Sequence, residues 1–261
     1  MRKLTLVFTL GIMSYGSLVS ADITNTTSNV ITELQQLAGQ GNDKAQCELG
    51  GKYFHGQGIS QDFKQAVVWY LKSAELGNAD AQFRLATMYV NGFGVRRDYD
   101  QAIEWYQRAA IQRHVRAQSN MATMYAHGLG VRRNLLEAAY WYEQASKGGY
   151  ALAQFNLGLM YSIGNGVIKD YKKAVYWFKY AAKQGYAKAQ DRLGVMYAEG
   201  HGVNKDNKKA YAWLATAACN GNKESQKFHD KIGKLFSDKE MKAAEALSER
   251  YIKKYSHHPI D

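Results

Sequence analysis

The chain has 261 residues, of which 46% are hydrophobic, with one proline, two cysteines and a formal net charge of +11. A single proline indicates a mostly helical interior, because proline lacks the N–H that an internal helical position must donate. The charge predicts attraction to acidic surfaces, and the lack of a later apolar run of about 18 residues argues against a transmembrane helix.

The first 21 residues have the pattern of an export signal. Arg2 and Lys3 form a basic start, residues 4–13 are apolar, and Val19-Ser20-Ala21 is a small-residue cleavage site. The apolar run is shorter than the roughly 20 residues that span a bilayer. We therefore expect cleavage after Ala21, a periplasmic or secreted protein, and no integral membrane segment after cleavage.

A repeat with a period of 36 residues follows. Its clearest marks are a tryptophan column, a glutamine column, and Gly-x-Gly pairs such as Gly92/Gly94. The tryptophans are Trp69, Trp105, Trp141, Trp177 and Trp213, and the glutamines are Gln46, Gln82, Gln118, Gln154 and Gln190. A period of this length predicts a solenoid, in which each repeat buries its apolar face against its neighbours.

Each repeat has the pattern of two antiparallel helices. In the second repeat, Ala81, Leu85 and Met88 form the apolar stripe of a first helix, and a glycine turn follows. Asp98 is placed to cap a second helix, on which Trp105 would pack in the core. Second helices end at glycines suited to a left-handed cap, namely Gly77, Gly149, Gly185 and Gly221. We expect all five tryptophans to have this structural role.

The repeats define the domain organisation. Residues 22–44 are predicted to be a capping half-repeat with a helix near residues 31–37. Five repeats then occupy 45–80, 81–116, 117–152, 153–188 and 189–224. Residues 225–261 should form capping helices and a tail, with a capping box from Ser237 to Glu240 opening a final helix that ends near Lys254.

The repeat pattern A-Q-x-x-L-G-x-x-Y-x-x-G-x-G-V, followed by A-x-x-W-Y-x-x-A-A-x-x-G, resembles the Sel-one-like repeat family, a relative of the tetratricopeptide repeat. The pattern is clearest from Ala153 to Gly185. The resemblance implies a right-handed α/α superhelical solenoid with a concave groove lined by first helices. It also implies an adaptor or binding module rather than an enzyme. A cysteine-rich subfamily is linked to β-lactam binding and hydrolysis, but this chain lacks its paired cysteines.

The two cysteines lie nearly five repeats apart. At roughly 10 Å per packed helix layer, Cys47 and Cys219 would be too distant for a disulfide, which needs Cα atoms within about 7 Å. We expect no intrachain bridge, and both side chains buried as small apolar residues.

No catalytic, cofactor-binding or metal-binding constellation emerges from the residues. His55 and His127 share a repeat position, but two repeats would separate them by roughly 20 Å, far beyond a shared metal. The Gly-x-Gly pairs follow helices instead of strands, which is not the setting of a phosphate-binding loop. We therefore predict no enzyme activity and no cofactor.

Three features are candidates for binding a partner. Arg96, Arg97, Arg132 and Arg133 follow the glycine turns and would form an arginine edge, or else serve only solubility. Arg113 stands where the other repeats end in glycine, and His114 and Arg116 follow it, by function or by drift. A variable column on the first helices should face the groove: Glu48, Arg84, Asn120, Asn156 and Arg192.

These features predict an exported scaffold that binds another protein, through an acidic surface or an extended peptide. Host interaction, envelope assembly and toxin immunity all remain open. The alternative is a protein that binds or hydrolyses cell-wall fragments or β-lactams. A nucleic-acid role is disfavoured by export and by the lack of an aromatic-basic platform.

Overall fold

A computed structural model of the protein describes residues 29–256. The predicted signal sequence and the last five residues of the tail lie outside this range. Within it, every regular element is helical. Helix α1 spans 29–39, and the rest are α2 Asp43–His55, α3 Phe63–Glu75, α4 Ala79–Asn91, α5 Tyr99–Ile111, α6 Val115–His127, α7 Leu135–Lys147, α8 Ala151–Ile163, α9 Tyr171–Lys183, α10 Ala187–Glu199, α11 Asn207–Cys219, α12 Lys223–Gly233 and α13 Asp238–Tyr255.

The helices fall into two compact units, an N-terminal unit that ends at Arg97 and a C-terminal unit that begins at Asp98. In the N-terminal unit, α2 packs on α3 and α3 on α4. In the C-terminal unit, consecutive helices pack from α5 to α12, and α11 also packs on α13. The first helices of the repeats are α2, α4, α6, α8 and α10, and the second helices are α3, α5, α7, α9 and α11.

Polar caps fix where the second helices begin. The Asp98 carboxylate accepts hydrogen bonds from the backbone N–H groups of Asp100 and Gln101, both at 3.0 Å, as predicted. The same position holds Asp62, Asn134, Asp170 and Asp206 in the other repeats. The final helix opens with the predicted capping box of Ser237 and Glu240. These side chains satisfy N–H groups that have no partner within the helix.

The second glycine of each turn lets neighbouring repeats approach closely. A Cβ atom at Gly130 would lie 2.3 Å from the carbonyl oxygen of Tyr99, the first residue of the preceding second helix. Gly166 has the same relation to Leu135, and Gly202 to Tyr171. Only glycine fits this contact, because any side chain would collide with the carbonyl. The turn of one repeat therefore packs directly against the second helix of the preceding repeat.

The glutamine column caps the preceding second helix. Gln118 donates through Nε2 to the carbonyl of Ala110 at 3.0 Å, Gln154 to Ser146 at 3.1 Å, and Gln190 to Ala182 at 3.0 Å. In the N-terminal unit, Gln46 donates to Ala38, so α1 takes the place of a second helix. The glutamines thereby satisfy carbonyl groups that helix C-termini leave free.

The tryptophans are less uniformly buried than the repeat pattern predicts. Trp105 and Trp213 are buried, whereas Trp69, Trp141 and Trp177 are only partly buried. The most deeply buried large side chain on each second helix is the next residue, in the column Tyr70, Tyr106, Tyr142, Phe178 and Leu214. Three of the five tryptophan rings therefore lie at the margin of the core, whereas every large side chain of the following column is buried.

The ends of the described chain cover apolar surface. Leu34 and Ala38 of α1 pack in one cluster with Leu49 and partly buried Trp69. At the other end, Trp213 stacks on Tyr255 of α13, with ring centroids 5.2 Å apart. No helix within residues 29–256 combines the length and apolarity required to cross a bilayer.

Both cysteines are free thiols, but the prediction that both are buried is wrong. Cys47 is partly buried, and Cys219 is exposed. The reason is local: Cys219 is the last residue of α11, where the helix surface faces solvent.

Candidate functional site

The variable column on the first helices meets the hydroxyl groups of the buried tyrosines. In the C-terminal unit, Asn120 donates through Nδ2 to the Tyr106 hydroxyl at 2.9 Å. The Tyr142 hydroxyl shares a hydrogen bond of 2.9 Å with Thr123 and also bonds Asn156. Burial raises the pKa of Tyr142, and these two bonds oppose that rise. Polar side chains of the column therefore satisfy hydroxyls that burial takes from water.

The same relation occurs in the N-terminal unit. The Arg84 guanidinium lies 6.0 Å from the centroid of the Tyr70 ring and hydrogen-bonds its hydroxyl. Burial raises the pKa of Tyr70, while the positive charge of Arg84 lowers it. Phe178 has no hydroxyl, and Arg192, which stands opposite it by repeat position, is exposed.

Open cavities lie beside these contacts. One of about 130 Å³ in the N-terminal unit and one of about 550 Å³ in the C-terminal unit share lining positions two repeats apart. We call this cavity the tyrosine recess. Its paired linings are Phe54 and Ala126, His55 and His127, Tyr70 and Tyr142, Arg84 and Asn156, Thr87 and Leu159, and Met88 and Met160. Its wall is constant at the histidine, tyrosine and methionine and variable at the other three positions.

Two further cavities include other members of the column. In the N-terminal unit, Glu48 and Arg84 line a cavity of about 470 Å³ together with Cys47. Burial raises the pKa of the Cys47 thiol to about 11, although Arg84 opposes this effect. The thiol is therefore protonated at neutral pH and is a poor nucleophile. In the C-terminal unit, Arg192 lines a cavity of about 680 Å³ with Lys188 and Asp191.

The arginine edge is exposed, but its members differ. Arg133 donates through Nε to the Ala126 carbonyl at 3.1 Å, and Gln61 makes the equivalent bond to Phe54 at 2.8 Å. This position ties the turn to the preceding first helix. Arg96 and Arg132 are exposed on the N-terminal and C-terminal units, respectively. Arg97 is exposed on the N-terminal unit as well.

The irregular end of the second repeat has a local structural role. Arg113 has a φ of +64°. It is the only non-glycine residue within 29–256 that has a positive φ. His114 caps α6, since its Nδ1 accepts from the Ala117 N–H at 3.1 Å. Asn42 and Asn78 perform this capping elsewhere. Arg116 is exposed on the first turn of α6.

Sequence reasoning missed the tyrosine recess. The available signal was the residue after each tryptophan, which is tyrosine in three repeats and then phenylalanine and leucine. Within residues 29–256, no group of three or more His, Cys, Asp or Glu side chains is placed to hold a metal ion.

Comparison with known proteins agrees with this architecture. The sequence profile of the Sel1 repeat matches five consecutive segments, 43–78, 79–114, 115–150, 151–186 and 187–222, each starting two residues before the repeat frame used above. Among curated proteins, no relative matches the chain.

Two solved structures are similar over most of this chain. A Sel1 repeat protein from Oxalobacter formigenes is 36% identical, with a TM-score of 0.72, over 77% of this chain and 58% of that one. The second is c5321, a protective antigen present in uropathogenic Escherichia coli strains displaying an SLR fold. It is 29% identical, with a TM-score of 0.58, over 90% of this chain and 60% of that one. The chain thus covers about three-fifths of the length of each.

The five matched repeats extend over more than half of the chain, and the paired helices follow the same period. The chain therefore belongs to the Sel1 repeat family and has its fold, an all-α helical repeat solenoid.

Proposed function

We propose that this protein is an exported scaffold that binds an extended segment of another protein through its tyrosine recesses. The main support is that the recess occurs twice, with a different polar residue in each copy. That residue is Arg84 in one recess and Asn156 in the other. A constant wall with varied polar groups suits recognition of one particular sequence, because the varied groups supply specificity. Sel1 repeat proteins are generally scaffolds rather than catalysts.

The arginine edge is proposed to attract an acidic region of the same partner. Arg96 and Arg132 carry planar charges in solvent, and the chain has a formal net charge of +11. Exposed charges of this kind act mainly on the association rate. The basic start, apolar run and small-residue site in residues 1–21 support export to the periplasm or beyond. Host interaction, envelope assembly and toxin immunity are each compatible with such a scaffold.

Peptide selection tests the proposal directly. A displayed library of unstructured peptides would be panned against the folded protein, and the dissociation of a selected peptide measured by surface plasmon resonance. We expect Asn156→Ala to accelerate dissociation by about tenfold, which corresponds to loss of a buried polar contact. Lys147→Ala, on the exposed surface of α7, is the matched control and should change nothing.

The arginine edge needs a separate readout. Arg96→Glu with Arg132→Glu should slow association at low salt and leave the dissociation rate nearly unchanged, since exposed charges are screened over about 10 Å. Failure to select any peptide, or equal effects of Asn156→Ala and Lys147→Ala, would refute binding through the recess. An unchanged association rate would reduce the arginine edge to a solubility feature.

A further inference from the structure

The outer face of α9 presents two tyrosines between two lysines. Lys172, Tyr176, Tyr180 and Lys183 lie on one stripe, as the 3.6-residue helical period requires. All four are exposed, with 51% of the Tyr176 surface and 46% of the Tyr180 surface open to solvent. The two tyrosine rings contact each other at a centroid distance of 4.9 Å. The opposite face of the helix is buried through residues such as Val175 and Phe178.

The charge around this stripe is almost entirely positive. Residues 144–190 contain seven lysines, no arginine and one acidic residue, Asp170. The Asp170 carboxylate caps α9, accepting from the backbone N–H groups of Lys172 and Lys173. The remaining lysines of α9 flank the stripe, with Lys173 over the Tyr161 ring and Lys179 over the Tyr197 ring. No carboxylate of α9 therefore neutralises the stripe.

The combination is specific to α9 among the second helices. The equivalent positions are Lys64, Val68, Lys72 and Glu75 in α3, Asp100, Glu104, Arg108 and Ile111 in α5, Leu136, Tyr140, Gln144 and Lys147 in α7, and Lys208, Ala212, Thr216 and Cys219 in α11. The two middle positions are buried in α11, as Ala212 and Thr216, but exposed in α9. Packing of the solenoid therefore does not account for two exposed aromatic rings between lysines on α9.

We propose that this stripe binds the surface of an anionic lipid bilayer. Tyrosine and tryptophan rings are favoured at the headgroup level, where the apolar ring and the polar hydroxyl or indole N–H are both accommodated. Partly buried Trp177 lies next to Tyr176, with ring centroids 5.0 Å apart. Lysine stems extend along the apolar boundary and place the ammonium groups among lipid phosphates.

The residue types favour a lipid surface over an acidic protein. Protein interfaces are enriched in arginine and depleted in lysine, because the planar guanidinium binds carboxylates in a bidentate manner. Between Arg133 and Arg192 the chain has no arginine at all. Compact lysine charges are sufficient for a diffuse negative surface, which offers no fixed carboxylate geometry.

Vesicle flotation of the folded full chain tests the proposal. Vesicles of phosphatidylcholine alone would be compared with vesicles of equal parts phosphatidylcholine and phosphatidylglycerol. We expect binding only to the anionic vesicles, weakened by salt. Lys172→Glu with Lys183→Glu should reduce the partition coefficient by more than about tenfold, given the energy of each charge. Tyr176→Ala with Tyr180→Ala should reduce it severalfold without lowering the melting temperature.

Lys64→Glu with Lys72→Glu is the matched control, because it makes the same charge change on the outer face of α3, at the positions equivalent to Lys172 and Tyr180. We expect it to change partitioning by less than about twofold. An equal loss in this control would show that total charge, and not the stripe, causes binding. Polyglutamate in solution is the competing probe. Binding to polyglutamate without flotation would overturn the lipid assignment in favour of an acidic polypeptide, and no binding to either probe would overturn it outright.

Discussion

Asn120 Nδ2 lies 2.9 Å from the hydroxyl oxygen of Tyr106 and donates a hydrogen bond to it. Tyr106 is buried on α5, and Asn120 belongs to the variable column on α6, the helix that follows. Asn120, which the sequence pattern predicts to contact a partner, therefore also satisfies the buried Tyr106 hydroxyl. A substitution at this position of the variable column is therefore expected to change the stability of the repeat as well as the polarity of the surface.

A double-mutant cycle on this pair tests that link. Tyr106→Phe should lower the free energy of unfolding by about 1 kcal/mol, because the Asn120 amide loses its acceptor. Asn120→Ala should cost a similar amount, and the double variant should cost less than the sum of the two. Urea unfolding followed by circular dichroism measures all four proteins. Strict additivity would mean that the bond contributes nothing to stability.

An unsatisfied glutamine oxygen offers a stabilising change. Gln154 Oε1 accepts from Gln184 at 2.8 Å, and Gln190 Oε1 accepts from Asn220 at 2.9 Å. In the first repeat, Leu76 occupies the position of the donors Gln184 and Asn220. Because leucine cannot donate a hydrogen bond from its side chain, Gln46 Oε1 is buried without a partner. Leu76→Gln should supply the donor and raise the free energy of unfolding by about 1 kcal/mol. Leu76→Met is the control, and equal stability of the two variants would contradict the argument.

The irregular repeat end makes a second stabilising prediction. Arg113 adopts a φ of +64°, whereas Gly149 and Gly185 occupy equivalent positions with φ of +88° and +85°. Arg113→Gly should raise the free energy of unfolding by roughly 1 kcal/mol, because the side chain no longer opposes a left-handed backbone. Gly149→Arg should have the opposite effect. If Arg113→Gly destabilises the protein, the arginine side chain contributes more than its backbone costs.

The two aromatic columns should differ in their contribution to stability. Phe178 is 1% exposed, whereas Trp177 is only partly buried. Phe178→Ala should therefore cost about 3–5 kcal/mol, as expected for a large buried aromatic, and Trp177→Ala should cost clearly less. Thermal melting of both variants decides the order. A larger loss for Trp177→Ala would restore the tryptophan column as the centre of the core.

Much of the fold could be predicted because the same local sequence signals recur in each repeat. Helix ends depend on one residue and its nearest neighbours in the sequence. Examples are Asp98, the Ser237–Glu240 capping box and the turn glycines. Burial depth was harder to predict, since Trp141 and Tyr142 are adjacent and both aromatic. Which of them faces the core depends on the angle between packed helices, and periodicity alone does not fix that angle.

The site was only partly predictable for a similar reason. Polar residues at a repeating position marked the variable column. Their bonds to Tyr106 and Tyr142 depend on side chains that converge from two helices. The arginine edge was read from spacing, but the bond from Arg133 to the Ala126 carbonyl is a tertiary detail of its turn. That bond gives one arginine of the predicted edge a structural role.

Photo-cross-linking distinguishes binding of an extended polypeptide in the tyrosine recess from binding elsewhere on the surface. A photoreactive phenylalanine analogue would replace Asn156 in one protein and Lys147 in another, and each would be irradiated with a labelled peptide from the selection. We expect a cross-link from position 156 that excess unlabelled peptide suppresses, and none from position 147. Equal cross-linking at both positions, or cross-linking only from position 147, would rule out binding in the recess.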